Sequence, residues 1–302
     1  MRLFYGWVMV GLSFLAMMLA SGSTYTFGLL IKPVTEEMGW SRASLSLAMS
    51  IFLFAYGFSS APIGRLVDRL GPRLVIALFL LMMASGSIIV GGAAHLWQFY
   101  LFFGLLVAVG YAGTTVLPTS VLLSSWFEKR RGLAMGIAST GYSAGQLLVV
   151  PISFFILMSY GWRFSYLPLG TVMVALSLLV FILVRNKPSD VNAFPDGDEM
   201  YRSSLTQRAE EVEVEFMMAM RTKAFWLVSL AYLACGFTDF LITTHIAPFA
   251  SDMGFGPGAG AYALSILGGA NILGLLAAGR ASDKVGTATT LAFIYLIRWI
   301  SL

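Results

Sequence analysis

The stretch GRLVDRLGPR, residues 64–73, sets three arginines and one aspartate between two long apolar segments. A second stretch, GRASDKVG at residues 279–286, has the same Gly-Arg-x-x-Asp-x-x-Gly spacing and also lies between apolar segments. We call the shift in numbering that carries Gly64 to Gly279 the repeat shift. A charged motif that recurs at equivalent places between apolar segments indicates a duplicated architecture.

The composition is typical of a membrane protein. Hydrophobic residues make up 58% of the chain and charged residues 11%, whereas a soluble domain has about 25% charged residues. A run of about 20 apolar residues crosses a bilayer core of about 30 Å as a helix, and lipid satisfies no open backbone group. The sequence therefore predicts an all-α, polytopic membrane protein with eight full spans and a shorter ninth. The approximate bounds are 5–30, 42–63, 74–94, 97–118, 132–158, 163–184, 224–249, 261–279 and 288–302.

The distribution of Lys and Arg predicts the orientation. With the N-terminus in the cytoplasm, fifteen of the nineteen cations fall on the cytoplasmic side, and only Lys32, Arg42 and Arg163 fall outside. Such an excess marks cytoplasmic loops. We therefore expect a multi-pass protein of the cell membrane, specifically a bacterial inner membrane, with a cytoplasmic N-terminus. The net charge of +4 belongs to these loops and indicates no nucleic-acid partner.

The repeat extends beyond the charged motif. The segment IKPVTEEMGW (31–40) matches IAPFASDMGF (246–255) at its Ile, Pro, Met and Gly, and the same repeat shift carries Ile31 to Ile246. One constant shift across a span and two loops predicts two homologous halves in the same orientation. The expected units are a six-helix bundle (1–184), a cytoplasmic linker (185–222) and a partial second bundle (223–302). We expect the linker to be solvated and to contain a short surface helix, and a partner-binding tail is the alternative.

The repeat shift also predicts that the chain is incomplete. It places counterparts of spans four to six at about 312–399, outside this sequence. The expectation is therefore six packed spans, two more full spans and one short span. An open apolar groove and unusual apolar exposure are expected along the second half, and no transport by this chain alone.

Parallel six-span halves are one plan of secondary transporters. The stretch GRLVDRLGPR resembles the signature loop between helices two and three of the major facilitator superfamily, and GRASDKVG resembles its degenerate second copy. The resemblance implies that superfamily's fold and a role of the motif in switching between conformers. The residues concerned are Gly64, Arg65, Asp68, Arg69, Gly71, Arg73, Arg280 and Asp283. The alternative is that the arginines only set the topology, which leaves Asp68 and the glycines unexplained.

Shorter motifs resemble the monocarboxylate and oxalate/formate branch of that superfamily. They are FYGW (4–7), GWSR (39–42), WFEKRRGLAMGIA (126–138), GWR (161–163) and AMRTKAFW (219–226). One departure is that span 261–279 lacks the arginine that carboxylate carriers of this branch often use. The resemblance therefore implies a small organic anion without identifying it.

Ionisable side chains inside a span cost about 2.5–3.5 kcal/mol to insert, which makes them functional candidates. Asp239, in span seven, is the leading candidate for a proton or cation site, and a neutral, hydrogen-bonded carboxyl is the alternative. Arg298, in span nine, can bind a carboxylate through its guanidinium fork or form a structural ion pair. The predicted substrate or proton pathway is completed by Thr24, Tyr25, Tyr142, Gln146, His245 and Asn271.

These features predict a secondary active transporter of a small organic anion, a mono- or dicarboxylate, that works by alternating access with protons as a coupling ion. The expected partners are the anion, protons and the lipid bilayer, with no cofactor and no metal site. A transporter-like sensor without net transport and a carrier of another solute class remain alternatives. A membrane enzyme is disfavoured, because the sequence has no nucleophile–base set, HExxH motif or phosphate loop.

Overall fold

The computed structural model describes residues 4–197, 218, 220–256 and 258–301. Two short 3₁₀ turns, Pro188–Val191 and Pro195–Gly197, lie at the start of the linker, and the described residues form nine long helices. They are α1 (Gly6–Met38), α2 (Arg42–Leu70), α3 (Pro72–Gly91), α4 (Leu96–Trp126), α5 (Arg131–Tyr160), α6 (Trp162–Leu183), α7 (Lys223–Asp252), α8 (Ala259–Val285) and α9 (Thr287–Ser301). Successive helices run in opposite directions. We call the end of the bundle where α2 begins the Arg42 end, and the end where α2 stops the Gly71 end.

The charged motif is helical rather than a loop, which corrects the sequence-based expectation. Helix α2 continues through the motif to Leu70, and only Gly71, with a φ of 80°, forms the turn before Pro72 begins α3. Proline suits the first helical turn because its fixed φ is already helical. Helix α1 likewise continues past its predicted end, from residue 30 to Met38. Loss of hydrophobicity marks where a span leaves the lipid, but helices end where the backbone finds a cap.

The repeat reappears in the backbone. Gly39 and Gly254 have φ values of 68° and 80°, and Gly71 and Gly286 have values of 80° and 87°. A left-handed backbone is strained for any residue with a Cβ, so these turns call for glycine. Equivalent glycines therefore make equivalent turns at both ends of α2 and α8.

The core lies among the first six helices, with α1 at its centre. Phe27 of α1 stacks on Phe103 of α4 at a centroid distance of 4.3 Å, and Phe52 of α2 stacks on Phe103 at 5.3 Å. Helix α5 contacts α1 through glycine: a Cβ on Gly141 would lie 2.3 Å from the Phe14 carbonyl oxygen. Such close approach is typical of membrane helices with small residues at the contact.

Seven of the described helices, α1 to α7, are long and apolar enough to cross a membrane. Helix α8 has an apolar segment, Ala259–Leu275, among the side chains that the structure describes. The sequence stays apolar through Ala278, up to the charged stretch 279–286, and the eighth full span remains a prediction. Helix α9 has a shorter apolar segment as well, Thr289–Ile300, in line with the predicted short span.

The last three helices pack on the first six chiefly at two helix pairs. Helix α7 lies against α1, and α8 lies against α5, where a Cβ on Gly268 would come 2.8 Å from the Ser143 carbonyl oxygen. Much of α7 remains exposed, including Tyr232, Leu233 and Phe237. An apolar groove of about 600 Å³ separates α7 from α2. The predicted groove and apolar exposure along this part of the chain are thus present.

Candidate functional site

A carboxylate and a phenol meet where α1 crosses α7. The Tyr25 hydroxyl donates a long hydrogen bond to Asp239 Oδ2 at 3.5 Å. Tyr25 is 4% exposed, so this contact is shielded inside the bundle. The sequence had singled out both residues, and the structure brings them together.

Three further tyrosines extend this contact into the first six helices. The ring of Tyr142 on α5 meets that of Tyr25 edge-on at 5.6 Å, and the Tyr142 hydroxyl faces those of Tyr25 and Tyr111. Tyr111 on α4 meets Tyr56 on α2 edge-on at 5.1 Å. We call Tyr25, Tyr56, Tyr111 and Tyr142 the tyrosine cluster. Three of these hydroxyls, those of Tyr25, Tyr111 and Tyr142, lie within electrostatic range of Asp239 and provide hydrogen-bond donors and acceptors in an apolar setting.

Sequence reasoning missed Tyr56 and Tyr111. The sequence did contain a signal for them, because each tyrosine places a polar hydroxyl within an apolar segment. The two segments are FLFAYGF (52–58) and LVAVGYAG (106–113). Tyrosine nevertheless fits an apolar core through its ring. Only the packing of α2 against α4 shows that these two rings belong with Tyr25 and Tyr142.

Two other predicted pathway residues on α1 and α5 are buried. The Thr24 hydroxyl donates to the Ala20 carbonyl oxygen at 3.1 Å, within its own helix. Gln146 is fully buried in a π-helical turn, Gly145–Val149, and neither its amide nitrogen nor its amide oxygen has a partner among the described residues. An unpaired buried polar group costs about 1–3 kcal/mol. Gln146 is therefore suited to hydrogen-bond a molecule that enters the core.

Arg298 lies within electrostatic range of Asp239. Its guanidinium donates to the Cys235 carbonyl oxygen and to Cys235 Sγ, both at 2.9 Å, and also to Thr238 Oγ1. Asp239 follows Thr238 directly. Arg298 therefore ties α9 to α7 beside the candidate carboxylate.

The remaining two pathway candidates, His245 and Asn271, have different surroundings, and His245 shares its groove with Tyr56. His245 lines the groove between α2 and α7. Asn271 is exposed on α8. The structure does not bring either residue to Asp239.

At the Gly71 end, the residues of the charged motif have different surroundings. Arg73 is held by α6: its Nε donates to the Phe181 carbonyl oxygen at 2.8 Å, and its guanidinium lies over the Phe181 ring. Gly71 lies against the side chain of Asn186. Arg65, Asp68 and Arg69 are exposed, while Gly64 is half-buried. The side chains of Arg280 and Asp283 lie outside the described residues.

The start of the predicted linker packs against the first six helices. Asp196 accepts hydrogen bonds from the backbone N–H groups of Glu128 and Lys129, at 2.8 and 2.7 Å, and of Arg130, at 3.3 Å. These donors precede α5, whose N-cap residue Arg130 provides no side-chain cap. Asp196 thus supplies the cap from a distant segment. The acidic run 210–215 lies outside the described residues.

Three polar contacts lie at the Arg42 end, and residues of two of them, Lys32 with Ser251 and Glu37 with Trp162, line a cavity of about 690 Å³. Arg42 of α2 forms a bidentate ion pair with Asp252 of α7. Lys32 of α1 donates to Ser251 Oγ of α7 at 2.5 Å. Glu37 of α1 instead pairs with Arg163 of α6 at 3.0 Å and accepts from Trp162 Nε1. Two of the three contacts therefore join α7 to the first two helices.

Comparisons with known proteins agree with this architecture. The family model described as Major Facilitator Superfamily matches residues 13–302. A bacterial homologue of the human lysosomal transporter Spinster, solved in an inward-facing and unoccupied conformation, superposes with a TM-score of 0.74 at 21% identity. The match covers 94% of this chain and 64% of that one, and it shows the shared fold.

Curated relatives are transporters by name. The chain is 26% identical to the uncharacterized MFS-type transporter YcxA of Bacillus subtilis, over 92% of this chain and 65% of that protein. It is 25% identical to the oxalate:formate antiporter of Oxalobacter formigenes, with coverages of 98% and 68%. It is 28% identical to monocarboxylate transporter 13 of Rattus norvegicus, with coverages of 93% and 62%. The chain thus spans about two thirds of the length of these relatives.

Proposed function

The chain belongs to the major facilitator superfamily, and from that premise we propose that it carries a small organic anion, a mono- or dicarboxylate, across the membrane by alternating access. Members of the family are transporters, so the enzyme alternative is set aside. Two of the relatives are named for oxalate and formate and for monocarboxylates. Those names support the substrate class.

The observation that carries the proposal is the buried contact between Tyr25 and Asp239. It joins α1 to α7, so both helices contribute to one polar site. The hydroxyls of Tyr111 and Tyr142 face the same region. Phenol O–H groups are good donors to a carboxylate, because hydrogen bonds to a charged acceptor are about twice as strong as neutral ones.

Asp239 supports coupling of the anion to a proton. Two unit negative charges about 4 Å apart repel each other by about 4 kcal/mol at an effective dielectric constant of 20, which corresponds to nearly 1,000-fold in affinity. An ionised Asp239 therefore disfavours an anionic substrate beside Tyr25. A protonated Asp239 removes the repulsion and adds a donor. The anion and the proton then occupy the site together, as in a proton symporter.

Arg298 supplies the positive charge in this proposal. It donates to Cys235 and Thr238 in the turn that precedes Asp239. A cation at that position favours an anion in the site and moderates the charge of Asp239. Carboxylate carriers of this branch often have an arginine in the eighth helix, and the apolar segment of α8 has none. In this proposal Arg298 on α9 takes over that role.

The proposed orientation places the Gly71 end in the cytoplasm and the Arg42 end outside. Cations concentrate at the Gly71 end, as the positive-inside rule requires of cytoplasmic loops. The contacts between α7 and the first two helices close the Arg42 end. The conformation described here is then open to the inside.

Uptake into proteoliposomes tests the proposal. The full-length gene product is reconstituted, an inward proton gradient is imposed, and labelled oxalate, formate, lactate and an uncharged sugar are compared. We expect gradient-dependent accumulation of at least one acid and none of the sugar. Accumulation of the sugar alone, or of nothing, contradicts the substrate class.

Exchange by counterflow distinguishes a carrier from a sensor. A carrier preloaded with unlabelled acid takes up the labelled acid without a proton gradient. A sensor binds the acid and shows no exchange. The named antiporter among the relatives also favours exchange as a second mode of the same carrier.

A further inference from the structure

We propose that Arg42 and Asp252 form a latch that holds the Arg42 end shut, and that this ion pair breaks when the protein opens on that side. The guanidinium of Arg42 reaches both carboxylate oxygens of Asp252, with Nη2 donating to Oδ1 at 2.8 Å. Arg42 begins α2 and Asp252 ends α7. The pair therefore joins the first six helices to the last three.

The repeat identifies this ion pair as a specialised contact. Asp252 is the equivalent of Glu37, because the repeat shift carries one position to the other. Glu37 pairs with Arg163 and bonds to Trp162, so it braces α1 against α6 within the first six helices. The same acidic position thus serves as an internal brace in one copy and as a contact between the copies in the other. A rigid-body movement of one copy against the other breaks only the second kind of contact.

The exposure of the ion pair indicates a contact that breaks during the transport cycle rather than one that is always formed. Both side chains of the pair are nearly half exposed, at 46% and 47%. An exposed ion pair contributes little net stability, so it can break and re-form during a transport cycle. Lys32 and Ser251 form a parallel contact beside it. The cavity at this end reaches Gly28 and Leu29, one helical turn from Tyr25. In the latched state, a solute at the Arg42 end therefore has no access to the tyrosine cluster.

The inference rests on the proposed alternating access but not on the substrate. Its test is therefore a distance measurement without any acid present. In a Cys235→Ser background, spin labels on cysteines at Ala94 and Phe255 report the separation across the Arg42 end, since both positions are exposed and neither residue belongs to the ion pair. The protein is measured in lipid vesicles by pulsed electron resonance.

Four variants make the measurement decisive. Asp252→Asn is expected to raise the population with a long distance about two- to five-fold, the shift that an exposed ion pair supports. The exchange Arg42→Asp with Asp252→Arg is expected to restore the original distribution. Glu37→Gln, the matched control at the equivalent position, and Asp190→Asn, an exposed control, are expected to leave it unchanged. Salt at about 1 M is expected to mimic Asp252→Asn, because the screening length falls to about 3 Å.

An unchanged distribution in Asp252→Asn overturns the latch. So does an equal shift in Glu37→Gln, which would show that any lost carboxylate at this end has the same effect. Failure of the charge exchange to restore the distribution also overturns it, because the pair rather than either residue is proposed. If the latch holds and no acid is accumulated, only the proposed substrate class fails.

Discussion

The backbone of Gly28 lies against the carbonyl oxygen of Thr243, and the repeat shift makes these two residues equivalent positions of the two copies. A Cβ added to Gly28 would lie 3.1 Å from the Thr243 oxygen and 3.0 Å from the Thr244 oxygen. Two equivalent positions that touch must lie near the axis that relates the copies. Helices α1 and α7 therefore cross on that axis, one turn from Tyr25.

The close crossing of α1 and α7 predicts that a methyl group added at Gly28 opens the Arg42 end. Gly28→Ala is expected to weaken closure of the Arg42 end by about 1–3 kcal/mol, because overpacking a tight contact forces the helices apart. Labelling of a cysteine at Leu29 by an impermeant reagent measures the opening, with an expected rise of about tenfold. Gly11→Ala on the same helix is the control, since a Cβ there meets nothing within 4 Å. Equal labelling of the two variants would show that the crossing is not a gate.

Asp239→Asn is expected to abolish proton-driven accumulation of the acid and to leave exchange of the acid across the membrane intact. The amide keeps a hydrogen bond to Tyr25 but carries no titrating proton. Uphill accumulation driven by a proton gradient should be lost, while counterflow of the same acid should persist. Proton-driven accumulation at the wild-type level would remove Asp239 from the mechanism. Asp190→Asn, on the exposed linker, should behave as wild type.

Tyr142→Phe is expected to weaken binding of the acid. The change keeps the ring contact with Tyr25 and removes the hydroxyl that faces Tyr25 and Tyr111. A lost hydrogen bond to a charged group costs about 1.5–3 kcal/mol, so the half-saturating concentration should rise at least tenfold.

The matched control for that change is Tyr166→Phe. The Tyr166 hydroxyl is buried on α6 and has no hydrogen-bond partner among the described residues. Its removal should leave uptake unchanged and should not lower thermal stability. If the two variants lose uptake equally, loss of core packing rather than substrate binding explains Tyr142→Phe.

Asp196→Ala is expected to destabilise the start of α5. The carboxylate is bonded to three backbone N–H groups before that helix, where a negative charge also interacts favourably with the helix dipole. Loss of an N-cap costs about 0.5–2 kcal/mol. Thermal unfolding followed by circular dichroism should show a lower midpoint for Asp196→Ala than for a control at the exposed Ser189, Ser189→Ala. Identical midpoints would show that the contact is not a cap.

Much of the helical architecture was predictable from the sequence, and the candidate site only in part. Asp239 and Tyr25 stood out because a charged or polar side chain inside an apolar block is costly. Tyr56 and Tyr111 did not stand out, because a phenol ring fits an apolar core and nothing in the local sequence shows where its hydroxyl points. Asn271 stood out for the same reason as Asp239, yet it is exposed on α8. Hydropathy identifies polar residues inside a span but not the direction in which they face.

The sequence by itself determined that the protein is a helical, multi-spanning transporter-family chain with an internal repeat, because hydropathy, turn glycines and motif spacing are local properties of the chain. The tertiary structure alone decided which helices touch. It joined Tyr25 to Asp239, Arg42 to Asp252 and Gly28 to Thr243, each pair drawn from opposite halves of the chain. Such contacts depend on how helices rotate about their axes and pack, and neither property is written in any single segment. Glu37 and Asp252 are therefore equivalent positions with different partners. Glu37 pairs with Arg163 within the first six helices, and Asp252 pairs with Arg42 across the two halves.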